Sequence, residues 1–394
     1  MRTRREFVLK TIAVTALSSA PQSLKADDNG AHPATKSLRV LVLGGTGTTG
    51  RYYVRAALAR GHRVAVFSRG KTRADLPQSV ESLIGDRNGD LESIKNRDWD
   101  TVIDVATFGP GWVRSLGEAL KGRVKHYTFI STVSVYDNPA KNIETTEDSA
   151  VMAYHGDANP YSITQEGEYY GAAKVLCEQE AEKQFPGRVL VLRPGYIGGP
   201  DDTHGILTYW AVRAGKGGTV LAAGDPATPV QFIDIRDLSE WMTRLIERRA
   251  TGTYNAIGPQ SPADQAQMIE AALGNAARPP DIDWVPLNWL AARSDKEFWG
   301  TLLFWEINKG YLTRISNKKA IENGLTTRPI HVTLADTLVW YKQLPPDHRT
   351  ELVTGFKKRE SGPGFEEVRA SWTNYLHHER AAISAWKAGQ AKKS

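Results

Sequence analysis

The sequence predicts an α/β fold built on a doubly wound parallel sheet, followed by a smaller C-terminal domain on the substrate side. Three observations carry this expectation. Short runs of continuous apolar residues alternate with helical stretches from Arg39 to Pro194, and the first run leads into a cluster of glycines. Past Pro200 the texture changes, with nine of the eleven tryptophans at or beyond Trp210. Strands that are apolar at successive positions, not at alternate ones, are covered on both faces, which is the property of a parallel sheet flanked by helices.

The elements follow in order. R-V-L-V-L (Arg39 to Leu43) is the first strand, and Tyr52 to Arg60 reads as a helix stopped by Gly61. Then come R-V-A-V-F (Arg63 to Phe67), a strand ending near E-S-L-I-G-D (Glu81 to Asp86), T-V-I-D-V-A (Thr101 to Ala106), H-Y-T-F-I-S-T (His126 to Thr132) and R-V-L-V-L-R-P (Arg188 to Pro194). These place the first domain at residues 38–200. Residues 201–345 form the smaller domain, interrupted by Pro279-Pro280 and Pro345-Pro346; Val230 to Ile235 and Gly252 to Gly258 are expected to return to the first domain. Residues 346–394 read as a polar helical tail in which His377 and His378 are surface residues.

The chain opens with T-R-R-E-F-V-L-K (Thr3 to Lys10), followed by a weakly apolar run, Thr11 to Ala20, too short and polar to span a bilayer. The paired Arg4 and Arg5 resemble a bacterial twin-arginine signal peptide over residues 1–26, with 27–37 as linker. Ser18-Ser19-Ala20 and Leu24-Lys25-Ala26 are the candidate cleavage sites. This implies export of a folded chain to the periplasm through the twin-arginine translocase, the alternative being a cytoplasmic protein with a basic N-terminus. Residues 1–26 hold five basic groups and one acid, four of the six net positive charges, so the remainder carries only +2. That excludes a composition-based case for a nucleic-acid partner. Cys177 is the single cysteine, which rules out an intrachain disulfide, and no Cys/His run has metal-ligand spacing.

The first strand runs into G-G-T-G-T-T-G: Gly44, Gly45, Thr46, Gly47, Thr48, Thr49 and Gly50. Glycines at this spacing permit a tight turn and close backbone approach, so a pyrophosphate can sit on the free N–H groups of the following helix. A strand before and a helix after make this a dinucleotide-binding (Rossmann) fingerprint. An NAD site commonly places an acid at the end of the second strand, to hold the ribose 2′-OH, whereas Arg there suits a 2′-phosphate. Here the place reads Ser68, Arg69, then Lys71 and Arg73, with no acid. NADP is therefore slightly favoured over NAD, with Arg69 as the phosphate partner or else a solvated loop residue. Asp86 is a candidate for the adenine edge or a turn residue after Gly85.

Two further stretches complete the pattern. F-I-S-T-V-S-V-Y (Phe129 to Tyr136) ends one strand, and about 38 residues on comes Y-G-A-A-K, Tyr170 to Lys174. Residues four apart share a helix face, and an ammonium near a phenol stabilises the phenolate, which would draw the tyrosine pKa down from about 10. Such a tyrosine can take a proton from a substrate hydroxyl. The set resembles an extended short-chain dehydrogenase/reductase of the NAD-dependent epimerase/dehydratase family. That resemblance implies that Thr132 is the hydroxyl partner, Tyr170 the base and Lys174 a residue that also binds the nicotinamide ribose. It also implies that Ala106 and Thr107 border the cofactor and that Arg193-Pro194, opening R-P-G-Y-I-G-G-P, pass the nicotinamide. Tyr169 is not the base, since its fourth neighbour is Ala173. S-N-K-K-A-I-E-N-G-L-T-T-R-P (Ser316 to Pro329) resembles a late segment of bacterial isoflavone-reductase-like members. V-I-D-V-A-T-F (Val102 to Phe108) departs from the Ala-Ala or Ala-Gly run of sugar-nucleotide epimerases, which counts against a nucleotide-sugar substrate.

The expectation is an oxidoreductase of epimerase/dehydratase type acting on a secondary alcohol of a sugar or polyol, with tightly bound NADP or NAD. Tyr209, Trp210, Gln231 and Glu144 to Asp148 are candidate substrate contacts. The alternatives are an NADP-dependent ketone or enone reductase and a non-catalytic nucleotide- or RNA-binding relative. A small-molecule substrate is the expected partner, without a stable membrane span, and a homodimer is left open.

Overall fold

Every residue of β1 (Arg39–Leu43) after the first is buried, and the strand divides its side chains between two cores. Val40 and Val42 pack with Val54, Leu192, Trp241 and Leu245 on one face; Leu41 and Leu43 pack with Phe67, Leu116, Phe129 and Cys177 on the other. Alternation along a pleated strand with both faces apolar is why the run is continuous in sequence. The computed structural model describes residue 34 and residues 36–71, 75–105, 107, 109–137, 144–163, 169–202, 205–274, 280–293, 314–346, 348–349 and 372–392. Residues 1–26, on which the expected signal peptide and its candidate cleavage sites fall, lie outside the described residues, as do Arg73 and Ala106.

β1 is flanked by β2 (Arg63–Ser68) and β4 (Thr101–Asp104), both parallel to it. β3 (Glu81–Ile84) extends one side; β5 (Tyr127–Ile130) and β6 (Val189–Pro194) extend the other. The last strand on that side, β10 (Gly252–Ala256), pairs with β6, so the seven-stranded order is β10-β6-β5-β4-β1-β2-β3. The chain reverses its direction of winding between β1 and β4, and a crevice opens there at the strands' C-terminal ends. Helices α1 (Thr48–Ala59) and α6 (Ile235–Glu247) cover one face, while α3 (Pro110–Ala119) and α4 (Tyr170–Gln184) cover the other. α2 (Glu92–Lys95) is a single turn between β3 and β4.

The remaining strands form two small sheets. β7 (Tyr196–Gly198) pairs parallel with β9 (Pro229–Asp234), which pairs antiparallel with β11 (Gly258–Asp264). β8 (Val220–Ala223) pairs with β12 (Ile282–Val285). Gly252–Ala256 thus lies in the main sheet, whereas Pro229–Asp234 lies outside it and leads into α6, which returns to α1. Around the small sheets pack α5 (Ile206–Ala214), α7 (Gln265–Leu273), α8 (Leu287–Ala291) and α10 (Ile330–Gln343), with α9 (Lys318–Glu322) against β10.

The tail departs from the polar reading. Its helix α11 (Trp372–Ala391) buries Ala382 and Ile383 in the core of the small sheets. Glu379 is fully buried and accepts from Arg213 Nη2 at 2.7 Å and from the Leu221 N–H at 3.1 Å. His377 is exposed and His378 half-buried.

Two histidines are buried in the main domain. His126 Nε2 lies 2.8 Å from the Ala250 carbonyl and Nδ1 3.2 Å from the Thr101 hydroxyl, and His62 contacts Glu247. Burial pushes both imidazoles below their ordinary pKa. A depressed histidine binds fewer protons folded than unfolded, so its contribution to stability is complete above the unfolded pKa of about 6.5 and is lost as pH falls below it. Acidification from about pH 7 to 5 is expected to lower the melting temperature, and His126→Asn to flatten that slope. An unchanged slope in the variant would contradict this.

Candidate active site

The glycine loop closes the C-terminal end of β1. Gly44 has φ 83°, a left-handed conformation suited to glycine, and its carbonyl accepts from the Gly47 N–H at 3.0 Å. A Cβ at Gly50 would stand 2.2 Å from that same carbonyl, and one at Gly45 2.7 Å from Val66 Cγ2. α1 begins at Thr48, earlier than the expected Tyr52, because Thr48, Thr49 and Gly50 form its first turn. Its N-cap is Gly47, with no side-chain cap and no acid in the first turn, so its N–H groups and positive dipole end are open to an anion. Thr46 is half-buried in the loop.

A cavity of about 500 Å³ lies over the β1/β4 crevice. Thr48, Thr49, Thr132, Tyr170, Lys174 and Pro194 all line it, so the phosphate loop and the catalytic candidates face one space. Thr132 ends the chain segment after β5 and caps a 3-10 turn over Val133–Val135 by accepting from the Ser134 N–H at 3.2 Å. α4 begins at Tyr170 itself. The helix comes this close to the turn because Gly171 has no side chain; a Cβ there would lie 2.2 Å from the Ser134 carbonyl. The result is that the Tyr170 and Thr132 side chains line the same cavity. Lys174, one turn further on, is buried, donates to the Ile130 carbonyl at 2.9 Å and stands 4.9 Å over the Phe129 ring.

The electrostatics differ from the sequence expectation. Desolvation of its hydroxyl end against the cavity wall raises the Tyr170 pKa above its ordinary value, although the residue as a whole is 37% exposed, and the neighbouring Thr132 only partly opposes the rise. Lys174 is no source of that shift, because its ammonium is turned onto the Ile130 carbonyl; its own pKa is lowered by burial, against the pull of Asp104 and Glu178. The phenol is thus held protonated at neutral pH, poised first to donate.

The other nominated residues are dispersed. Arg69 is exposed at the end of β2 and makes no hydrogen bond or ion pair among the described residues, while Ser68 accepts from the Gly70 N–H at 3.3 Å. Asp86 spends one carboxylate oxygen on the Asn88 N–H, 2.9 Å away, within a turn closed by Asp90. Thr107 donates to Asp104 at 2.6 Å and does not line the cavity. Neither does Arg193, whose Nη2 binds Glu178 at 2.7 Å, while Ser131 donates to the same carboxylate. Asp104 escaped notice in the sequence. It is fully buried, takes a bidentate pair from Arg87 at 2.6 and 2.9 Å, and accepts from Tyr127 at 2.6 Å. An acid directly after the apolar Val102 and Ile103 of a strand was the available hint, since a buried carboxylate requires a partner.

The loop whose side chains would collide, the open helix end and the cavity volume together fit a nicotinamide dinucleotide. Residues 40–257 match the model of the NAD dependent epimerase/dehydratase family, and the chain belongs to that family. It is an NAD(P)-dependent enzyme. The chain is 27% identical over 317 residues to the 2′-dehydrokanamycin reductase of Streptomyces kanamyceticus, covering 77% of this chain and 85% of that protein. Its fold is like that of Bordetella bronchiseptica WbmG solved with NAD and UDP (TM-score 0.55, 18% identity, 78% of this chain and 95% of that one). It is equally like the UDP-glucuronic acid 4-epimerase of Bacillus cereus solved with NAD (TM-score 0.55, 17% identity, 77% and 99%).

Proposed function

We propose that this enzyme acts on a secondary alcohol of a sugar or polyol-like substrate, with Tyr170 as the acid/base. The observation that supports it most is the meeting of Thr132, Tyr170 and Lys174 with the phosphate loop in one cavity. Thr48, Thr49 and the open end of α1 would hold the pyrophosphate, and Lys174 the nicotinamide ribose. When bound, the nicotinamide supplies an acceptor for the hydride that leaves the carbinol carbon. Thr132 and Tyr170 hold the substrate oxygen, and Tyr170, once its phenol has released its own proton to solvent, takes the proton of that oxygen as the carbon loses hydride. Incubation with a panel of sugars and polyols, followed by NMR, tests this; oxidation or epimerisation of at least one member is expected, and inertness toward all would count against it.

Reduction of a ketone is the second reading, and one observation favours it. Tyr170 lines the cavity beside Thr132, and a phenol, protonated at neutral pH, can donate to a carbonyl oxygen as hydride arrives. The Streptomyces relative is itself named a reductase.

Arg69, exposed and without a hydrogen-bond or ion-pair partner among the described residues, supports NADP as the nucleotide. Arg69→Ala is expected to weaken NADP by about 1.5–3 kcal/mol and NAD much less, if the guanidinium meets the 2′-phosphate directly. Equal losses, measured by titration, would remove Arg69 from that role. The Thr3–Lys10 segment supports export of the folded chain with its nucleotide already bound, since ligand binding stabilises the folded state. Protein taken from the periplasm should then release near-stoichiometric NAD(H) or NADP(H) on denaturation, by mass spectrometry. Empty protein would contradict that.

A further inference from the structure

The active cavity has a neighbour. A second cavity of about 410 Å³ is lined from α1 by Arg51 and Arg55 and from α10 by Asp336 and Trp340, and the two cavities share Tyr52, Pro200 and Asp201. Two contacts join α1 to the Pro200–Asp201 segment at this shared wall. Arg51 Nη2 lies 3.2 Å from the Asp201 carboxylate, and the Tyr52 hydroxyl donates to the Pro200 carbonyl at 3.2 Å. Asp201 is held with φ 67°, a left-handed conformation uncommon for any residue but glycine. Arg51 Nε is buried and has no partner among the described residues, so one donor remains available to a ligand.

The placement ties the two sides of the nucleotide site together. Arg51 follows Gly50, the last glycine of the phosphate loop, whereas Asp201 follows Pro194–Pro200, the segment that lines the opposite side of the cavity. We propose that Arg51–Asp201 and Tyr52–Pro200 form a clasp that slows the exit of bound nucleotide, with Asp201 as its positioning residue. A dinucleotide that reaches from Thr48 and Thr49 to Lys174 lies between the two fastened sides, and its departure requires them to part. The pair is partly exposed, with side chains 26% and 18% accessible, so its direct electrostatic strength is modest. Its effect is therefore expected in a dissociation rate more than in fold stability.

Release is read by loading the full chain with NADH or NADPH in separate runs and displacing it with excess oxidised nucleotide in a stopped-flow fluorimeter. Asp201→Gly removes the carboxylate while suiting the left-handed backbone, and is expected to release nucleotide about tenfold faster than wild type. Arg51→Ala should match it, and the double variant should be no faster than either single, because both delete one contact. Tyr52→Phe, which keeps the ring, should give a smaller acceleration of about two- to threefold and supplies an independent reading if a rim variant folds poorly. If Arg51 instead serves the pyrophosphate and Asp201 merely restrains it, Asp201→Gly frees the guanidinium and release slows. Slower or unchanged release from Asp201→Gly, or multiplied effects in the double variant, would overturn the clasp.

Discussion

Tyr170→Phe is expected to lower turnover at least about 100-fold on an identified substrate, while NAD(P) still binds. The expectation rests on position. The phenol lines the cavity together with Thr132 and starts the helix that carries Lys174. Phenylalanine keeps the ring and removes only the group that moves the proton. Because the Tyr170 phenol must lose its own proton before it can take one from an alcohol, oxidation should gain as pH rises. Steady-state kinetics in both directions check this. Near wild-type turnover in the variant would assign the proton to another group.

Removing Glu379 should cost the fold about 3–5 kcal/mol, the usual loss when one member of a buried ion pair is deleted. Glu379 and Arg213 are both essentially inaccessible, and the carboxylate meets Arg213 Nε at 3.0 Å as well as Nη2 at 2.7 Å. Glu379→Ala leaves the guanidinium buried without its counter-charge and frees the Leu221 N–H. A double variant, Arg213→Met with Glu379→Leu, should recover much of the loss, because it removes both charges and keeps the volume. Urea unfolding of the three chains decides between a pair that holds α11 and one that contributes nothing; equal midpoints for wild type and Glu379→Ala would show the latter.

What was legible in the sequence was what local geometry dictates. Val40–Leu43 is apolar throughout because both faces are covered, and Gly44, Gly45 and Gly50 stand where a Cβ would collide or φ is positive. Tyr170 and Lys174 were nominated by the family resemblance, and their spacing of about one helical turn agrees with both lining one cavity. The start of α1 was misplaced because Thr48, Thr49 and Gly50 are weak helix formers held in place by the loop. The direction of the Tyr170 pKa was also out of reach. Spacing puts an ammonium on the same helix face as a phenol, but only the fold shows it bonded to the Ile130 carbonyl. Charge pairs between distant positions carry no local pattern: Arg213 and Glu379 are 166 residues apart, and Arg87 and Asp104 belong to different strand ends. Hence the tail read as polar, and Asp104 passed as an interruption in a strand.

The most direct measurement follows one hydrogen. Enzyme loaded with oxidised nucleotide is mixed with an active secondary alcohol deuterated at the carbinol carbon, quenched within one turnover, and the released nucleotide is weighed by mass spectrometry. Hydride transfer in the Thr132–Tyr170–Lys174 cavity predicts reduced nucleotide one mass unit heavier than that from unlabelled alcohol, formed at least about 100-fold more slowly by Tyr170→Phe. Substrate turnover that leaves the nucleotide oxidised and unlabelled would contradict it.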